Sequence, residues 1–496
     1  MGVGPSHLEL GIGRADARRG RAMTLDPVLL SRLQFFWVIS FHILLPAFTV
    51  GLACYIAVLE SLYLKTGDHT YFRVSVFWTK IFAVSFGLGV VSGIVMPFQF
   101  GTNWSRFSDA AANVIGPLMA YEGLTAFFLE ASFLGVLLFG RKLVPPWAHC
   151  FAAAMVAVGT LFSSFWILAL NSWMQTPAGY EIIDGRFHAV DWIAVIFNPS
   201  FPFRISHTVT AFLVTTGFVV VGVAAYYLRR ERATVEARKM LSMTLWLLTF
   251  LVPLQVAIGD LHGLNTFHHQ PAKLAAMEGH WETRSGAPFV IVGWPDQQAE
   301  LTRWAVEVPY LGSLILTHTL DGTVRGLKEW PREDRPPPAI VFWSFRVMVG
   351  IGMLMMLVVV LANWLRWNSR LYDTVWFLRV CEACLPLGFV AVIAGWITTE
   401  VGRQPWVIYG LMRTKDAVTP SLAGSDVLVS LIIYMIVYLV VYPVTLYYMI
   451  GLVRAGPEIE EEPDRPIEGL QRPLPARAAA GAAGRPGTPI IAEPRP

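Results

Sequence analysis

The chain has 496 residues, 55% of them hydrophobic, with 18 Trp, 31 Phe and a mean hydropathy of +0.52; this excludes a soluble globular protein and marks a polytopic membrane protein. A formal net charge of +3, with Lys and Arg in short loops between apolar runs, argues against a nucleic-acid partner. Four cysteines give no disulfide framework, and Leu385 stands after Cys381-Glu-Ala-Cys384 where covalent haem attachment wants His, so the pair reads as two packed thiols.

Residues 1–32 read as a partly disordered N-terminal extension: Arg14, Arg18, Arg19 and Arg21 surround no apolar core, so the stretch makes neither a span nor a complete signal peptide, and Met23 is a second candidate start. Apolar runs able to cross about 30 Å of hydrocarbon follow at 33–61, 75–100, 114–139, 148–170, 206–228, 241–258, 340–363, 384–401 and 427–452. Backbone groups in hydrocarbon must be satisfied within the segment, so all nine are expected to be helices. The expected fold class is an all-α membrane protein, a nine-helix bundle over 33–456. Lys65, Arg73, Arg141, Lys142, Arg229, Arg230, Arg232, Arg238, Lys239, Arg366, Arg370 and Arg379 fall in the loops after spans one, three, five and seven, while Arg106, Arg186, Arg204, Arg403, Arg413 and Lys415 are half as many on the other face. The positive-inside rule then puts the N-terminus outside and the C-terminus in the cytoplasm, against the arginines before Met23. Two outer loops, 171–205 and 259–339, are long, and the second is long enough to be functional. Residues 457–496, rich in Pro, Ala, Arg and Glu, read as a disordered cytoplasmic tail.

Charges and imidazoles inside spans are rare, and those singled out, with one thioether, are His42 in span one, Glu122 and Glu130 in span three, His207 opening span five, Arg346 and Met348 in span seven, and Glu400 closing span eight. Each alone has a structural explanation, such as a hydrogen-bonded His or a gap-filling Met. In the nine-span topology, however, His42, Glu122, His207, Met348 and Glu400 all share the outer half of the bundle. Five potential metal ligands that include an imidazole and a thioether suit haem iron. Glu130 lies eight residues after Glu122, about 12 Å deeper and turned by about 80° on an ideal helix, where it could relay protons or bond across helices. Glu400 ends its helix against the negative end of the dipole and needs a cation, a metal or a proton, and Pro405 stops the helix. An ordinary helix end, with Arg403 at the headgroups and Trp406 in the aromatic belt, is the competing explanation. The few membrane histidines exclude a haem-copper oxidase, whose adjacent His pair has no counterpart here because His268 and His269 fall in a loop. They also exclude a cytochrome b with two widely spaced histidines on each of two spans.

From about Leu25 to Tyr448 the residues resemble subunit I of the cytochrome bd-type quinol oxidases. The resemblance is carried by Ser31-Arg32-Leu33-Gln34-Phe35, Phe100-Gly101-Thr102-Asn103-Trp104-Ser105, Glu122-Gly123-Leu124 with Phe127-Phe128-Leu129-Glu130, and Trp173-Met174-Gln175. It continues through Lys273-Leu274-Ala275-Ala276-Met277-Glu278, Phe342-Trp343-Ser344-Phe345-Arg346-Val347-Met348-Val349-Gly350 and Gly402-Arg403-Gln404-Pro405-Trp406. The resemblance implies that His207 and Met348 hold a low-spin haem b with Arg346 beside it. It implies that His42, Glu122 and Glu400 serve a pair of high-spin haems, that Glu130 lies on the cytoplasmic proton path, and that Lys273 and Glu278 handle quinol within 259–339. One haem of the pair is a high-spin haem b, and the third site is left to haem d or to a further haem b. Arg403 is expected to pair with a haem propionate. The short segment between Glu278 and Arg346 is similar to that of the cyanide-insensitive branch. Implied partners are subunit II, quinol, dioxygen and the lipid membrane, with room for a small single-span subunit. The implied activity is terminal oxidation of quinol at the outer face with reduction of dioxygen to water. A haem-free proton-coupled transporter using Glu122, Glu130 and Glu400, and a haem-containing quinol electron carrier without oxygen chemistry, are the alternatives the residues leave open.

Overall fold

A computed structural model describes residues 25–457; the expectations for 1–24 and for the tail 458–496 fall outside the described residues. The helices are α1 Pro27–Leu44, α2 Pro46–Thr66, α3 His69–Thr102, α4 Ser105–Tyr121, α5 Phe128–Phe139, α6 Pro146–Gln175, α7 Trp192–Ile196, α8 Phe201–Arg229, α9 Thr234–His269, α10 Pro271–Glu278, α11 Leu311–Thr317, α12 Pro338–Trp367, α13 Val375–Cys384, α14 Leu387–Gly402 and α15 Gly424–Ala455. Among the described residues nine helical stretches are long and apolar enough to cross a membrane, and each contains one of the nine apolar runs. The first stretch joins α1 to α2, the third joins α4 to α5, and the eighth joins α13 to α14.

Helix ends differ from the expected boundaries for local reasons. Asp26 caps α1, its carboxylate accepting from the Val28 N–H, so helix begins at Pro27, inside the expected extension. Expected as loop from 259, the chain instead stays helical to His269, because nothing stops α9 until Gln270 precedes Pro271. The break between α1 and α2 also follows from a proline. Pro46 has no N–H for the His42 carbonyl, which accepts instead from Leu45 at 3.0 Å. His42 therefore sits in the last turn before a bend.

Helix α8 is the centre of the bundle and packs against α2, α6, α9, α13 and α14. Its residues Phe218, Val220, Val221, Ala224, Ala225 and Tyr227 are fully buried. Close approach rests on small residues: Gly51 of α2 has no room for a Cβ against Thr216 of α8. Cys381 and Cys384 are buried free thiols, as expected. Near the other end of α2, Glu60 is 3% exposed and accepts from Arg141 at 2.5 Å, from Ser75, and from His149 Nδ1 at 3.2 Å. Glu60 lies within the first apolar run and is a further intramembrane charge, neutralised by this knot. Replacing His149 with Ala leaves Arg141 on Glu60, so we expect about 1–3 kcal/mol of destabilisation in detergent unfolding, with oxygen uptake unchanged.

The two long loops fold into small structures. Strands β1 Tyr180–Ile183 and β2 Arg186–Ala189 pair in the first loop. In the second, β3 Arg284–Ser285 pairs with β6 Thr323–Val324, and β4 Phe289–Asp296 pairs with β5 Leu301–Val308. After α14, β7 Trp406–Ile408 and β8 Met412–Arg413 form a further hairpin. The Arg413 guanidinium lies 4.8 Å from the Trp406 ring, so this Trp is half-buried in a hairpin contact.

Candidate functional site

One cavity of about 1600 Å³ runs through the bundle and is lined by His42, Glu122, Glu130, His207, Met348, Glu400 and Arg403, with Lys273 and Glu278 reaching it from α10. Arg346 is not on its wall. Its Nη2 donates to Glu278 at 2.8 Å and its Nε to the Val290 carbonyl at 2.9 Å, between the Phe289, Phe342 and Phe345 rings.

The three uncharged ligand candidates share a local device. His42 Nδ1 meets Ser92 Oγ at 2.9 Å, and that hydroxyl donates to the Gly89 carbonyl at 3.1 Å. The single hydroxyl proton is thus used, so Ser92 accepts from Nδ1–H and His42 keeps a bare Nε2 lone pair. Glycine faces each side chain across the helix contact: a Cβ on Gly93 would stand 3.2 Å from His42 Cε1, one on Gly259 3.3 Å from His207 Cε1, and one on Gly395 2.9 Å from Met348 Sδ. Gln255 Nε2 lies 3.2 Å from His207 Nδ1. His262 packs edge-on against His207, with ring centroids 5.6 Å apart.

Glu122 opens a six-residue π-helix, Glu122–Phe127, between α4 and α5. This corrects the spacing expected between Glu122 and Glu130, since wider π turns replace part of the α-helical path. Both carboxylates line the cavity, Glu122 accepting from Ser163 at 2.8 Å and Glu130 packing against Gly159.

Glu400 has the cation it needs. Its Oε2 accepts from Arg403 at 2.5 Å, and its Oε1 accepts from Asn171 at 3.0 Å and Gln175 at 3.2 Å. Arg204 donates to Asn171 Oδ1, and Lys273 donates to Gln175 Oε1 at 2.7 Å and Gln270 Oε1 at 2.6 Å. Lys273 and Glu278 do share a short helix, α10, but they face different partners. Asn171 and Gln270 are site residues that the sequence does not single out, while Gln175 stands there only within Trp173-Met174-Gln175 and Arg204 only as an outer-face charge. Arg204 was within reach, as a charge one turn before His207 at a span edge.

Among the described residues no three His, Cys, Asp or Glu side chains gather closely enough to hold one ion. The ligand candidates line one cavity without gathering round one point, which suits separate macrocycles and not a single ion. Buried N–H groups of cavity-lining residues without a protein acceptor point the same way: Arg204 Nε, and Arg403 Nε and Nη1. Guanidinium donors beside an imidazole, a thioether and carboxylates fit a haem with propionates.

Residues 30–457 match the family described as cytochrome bd terminal oxidase subunit I. The chain belongs to this family. It is 33% identical over 455 residues to the cytochrome bd ubiquinol oxidase subunit 1 of Bacillus subtilis (strain 168), covering 89% of this chain and 97% of that protein. It is 32% identical over 500 residues to the cytochrome bd-II ubiquinol oxidase subunit 1 of Escherichia coli (strain K12), covering 87% and 97%. The solved structure of the bd oxidase from Geobacillus thermodenitrificans superposes with a TM-score of 0.81 at 31% identity, covering 88% of this chain and all of that one. This subunit I is thus a multi-pass protein of the bacterial inner membrane and part of a haem-dependent terminal respiratory oxidase.

Proposed function

We propose that this subunit oxidises quinol at the outer face and reduces dioxygen to water on a pair of high-spin haems, with the N-terminus outside. The supporting observation is the single cavity that joins Lys273 and Glu278 to all five ligand candidates and to Glu130. His207 and Met348 would hold a low-spin haem b, whose potential the thioether would raise. His42, Glu122 and Glu400 would serve the pair, a high-spin haem b together with haem d or a further haem b. Bound haem supplies electron transfer and the position where dioxygen is reduced.

The residues divide the remaining work. Glu278, held by Arg346, offers an acceptor at the quinol side. Burial, reinforced by the charge of Arg204 and Arg403 and opposed by Glu400, pushes the Lys273 ammonium well below the ordinary lysine range. Lys273 donates to Gln175 and Gln270, and in the deprotonated form that burial favours its lone pair can take a quinol proton. Glu130 passes cytoplasmic protons toward the pair. Quinol protons leave outside and water protons enter from inside, so each electron moves about one charge across the membrane without a pump, storing about 2.3 kcal/mol per 100 mV. Subunit II completes the oxidase, with room for a small single-span subunit.

For pH the sign is set by the free amine: it is lost as pH falls through the lowered Lys273 value, so quinol-driven kcat/KM should rise with pH through that range. In Lys273→Met that limb should flatten. An equally steep limb in the variant would remove Lys273 from this role. Oxygen uptake with a short-chain quinol in the intact complex tests the reading as a whole: His42→Ala should abolish it, and normal turnover in that variant would refute the haem-pair assignment.

A further inference from the structure

A hydrogen-bonded bridge runs from Lys273 to Glu400 through one carboxamide. Gln175 lies at the end of α6 with no solvent exposure. Its Oε1 accepts from Lys273 at 2.7 Å and from Gln270 Nε2 at 3.0 Å, while its Nε2 donates to Glu400 Oε1 at 3.2 Å. The amide has only one orientation that satisfies these neighbours, because flipping it would set an NH2 against the donors of Lys273 and an oxygen against a carboxylate. Gln270 closes the ring: its Oε1 accepts from Lys273 at 2.6 Å, and its Nε2 also donates to the Gln175 carbonyl at 3.0 Å. A second amide, Asn171, repeats the polarity on the same Glu400 oxygen, with Arg204 behind it. Any group that draws Lys273 toward the cavity removes one of the two donors on Gln175 Oε1, and so loosens the hold on an amide that donates to Glu400 Oε1.

Resting on the function proposed above, we infer that Gln175 is a positioning residue that couples occupancy of the quinol site to the haem pair. A quinol that hydrogen-bonds Lys273 loosens the Lys273–Gln175 contact, and Glu400 shifts its charge toward Arg403. The coupling needs no movement of a helix, since its four members, Lys273, Gln175, Gln270 and Glu400, are already within hydrogen-bond reach of one another in sequence. Glu278 lies on the Arg346 side of the cavity and is not part of the bridge.

The test uses the purified oxidase complex and heptyl-hydroxyquinoline N-oxide, a non-redox quinol analogue, with optical difference spectra and redox titration of each haem. In the wild type the analogue should shift both the low-spin and the high-spin bands. In Gln175→Met the low-spin response should persist, while the high-spin response falls about fivefold or more. Gln175→Asn, one methylene too short to reach both partners but still polar in the buried site, should give the same loss. A wild-type complex with no high-spin response overturns the coupling, as does an undiminished response in either variant. A complex without haem, or without quinol-driven oxygen uptake, would instead refute the functional reading on which the coupling rests.

Discussion

Met348→Leu should cut quinol-driven oxygen uptake by about two orders of magnitude or more, since losing even an outer-shell partner of a metal ligand costs roughly 10–100-fold. The substitution nearly conserves volume, so the packing of α12 against α14 should survive. What is lost is the sulfur lone pair at the position that Gly395 leaves open beside Sδ. If Met348 is a ligand as proposed, one haem should change from low-spin to high-spin with a lowered potential, since a thioether ligand raises it. Carbon monoxide binding at the haem pair should be preserved, because His42, Glu122 and Glu400 are untouched. Reduced-minus-oxidised spectra read both effects at once. An unchanged low-spin band together with unchanged uptake would strike Met348 from the ligand set.

Glu400→Ala should be the most damaging substitution for the fold of the site. The carboxylate is the anion beside Arg204 and Arg403, and it is the acceptor for Arg403, Asn171 and Gln175. Removing one partner of a buried ion pair costs about 3–5 kcal/mol, because the other charges stay buried without it. The apparent melting temperature of the complex should fall and the high-spin signature should be lost together. Glu400→Gln keeps an oxygen for Asn171 and Gln175 but gives up the charge, so it should rank between wild type and Ala in thermal unfolding. If Glu400→Ala melted like the wild type, the ion cluster would not be what holds α14 to α6 and α10.

Apolar runs placed every membrane-length helix among the described residues, because hydrocarbon thickness and backbone satisfaction leave little else for such runs to be. The expected convergence of His42, Glu122, His207, Met348 and Glu400 followed from which end of which span each occupied, and all five line one cavity. Details of phase were less legible. The π-helix at Glu122 replaces regular turns by a local rearrangement that periodicity does not encode. Lys273 belongs to the loop region by sequence, yet it is 4% exposed, because Gln175 and Gln270 supply acceptors from another helix and from the residue that caps its own. Such a pairing across α6 and α10 joins residues nearly a hundred positions apart, with no local signal. Arg204 and Glu60 are charges at or within spans, Glu60 going unremarked in the sequence, and their partners, Asn171 for Arg204 and the Arg141–His149 pair for Glu60, appear only in three dimensions. The residues Gly93, Gly259 and Gly395 acquire meaning only once a ligand side chain is seen against each.

The central claim, a low-spin haem on His207 and Met348 beside a gas-binding pair on His42, Glu122 and Glu400, is tested most directly by haem quantification with carbon-monoxide difference spectra on the purified complex. The expected result is three haems per subunit I, with carbon monoxide perturbing the high-spin bands and leaving the low-spin band in place. A preparation with no b-type spectrum, or one whose haems all fail to bind carbon monoxide, would contradict it.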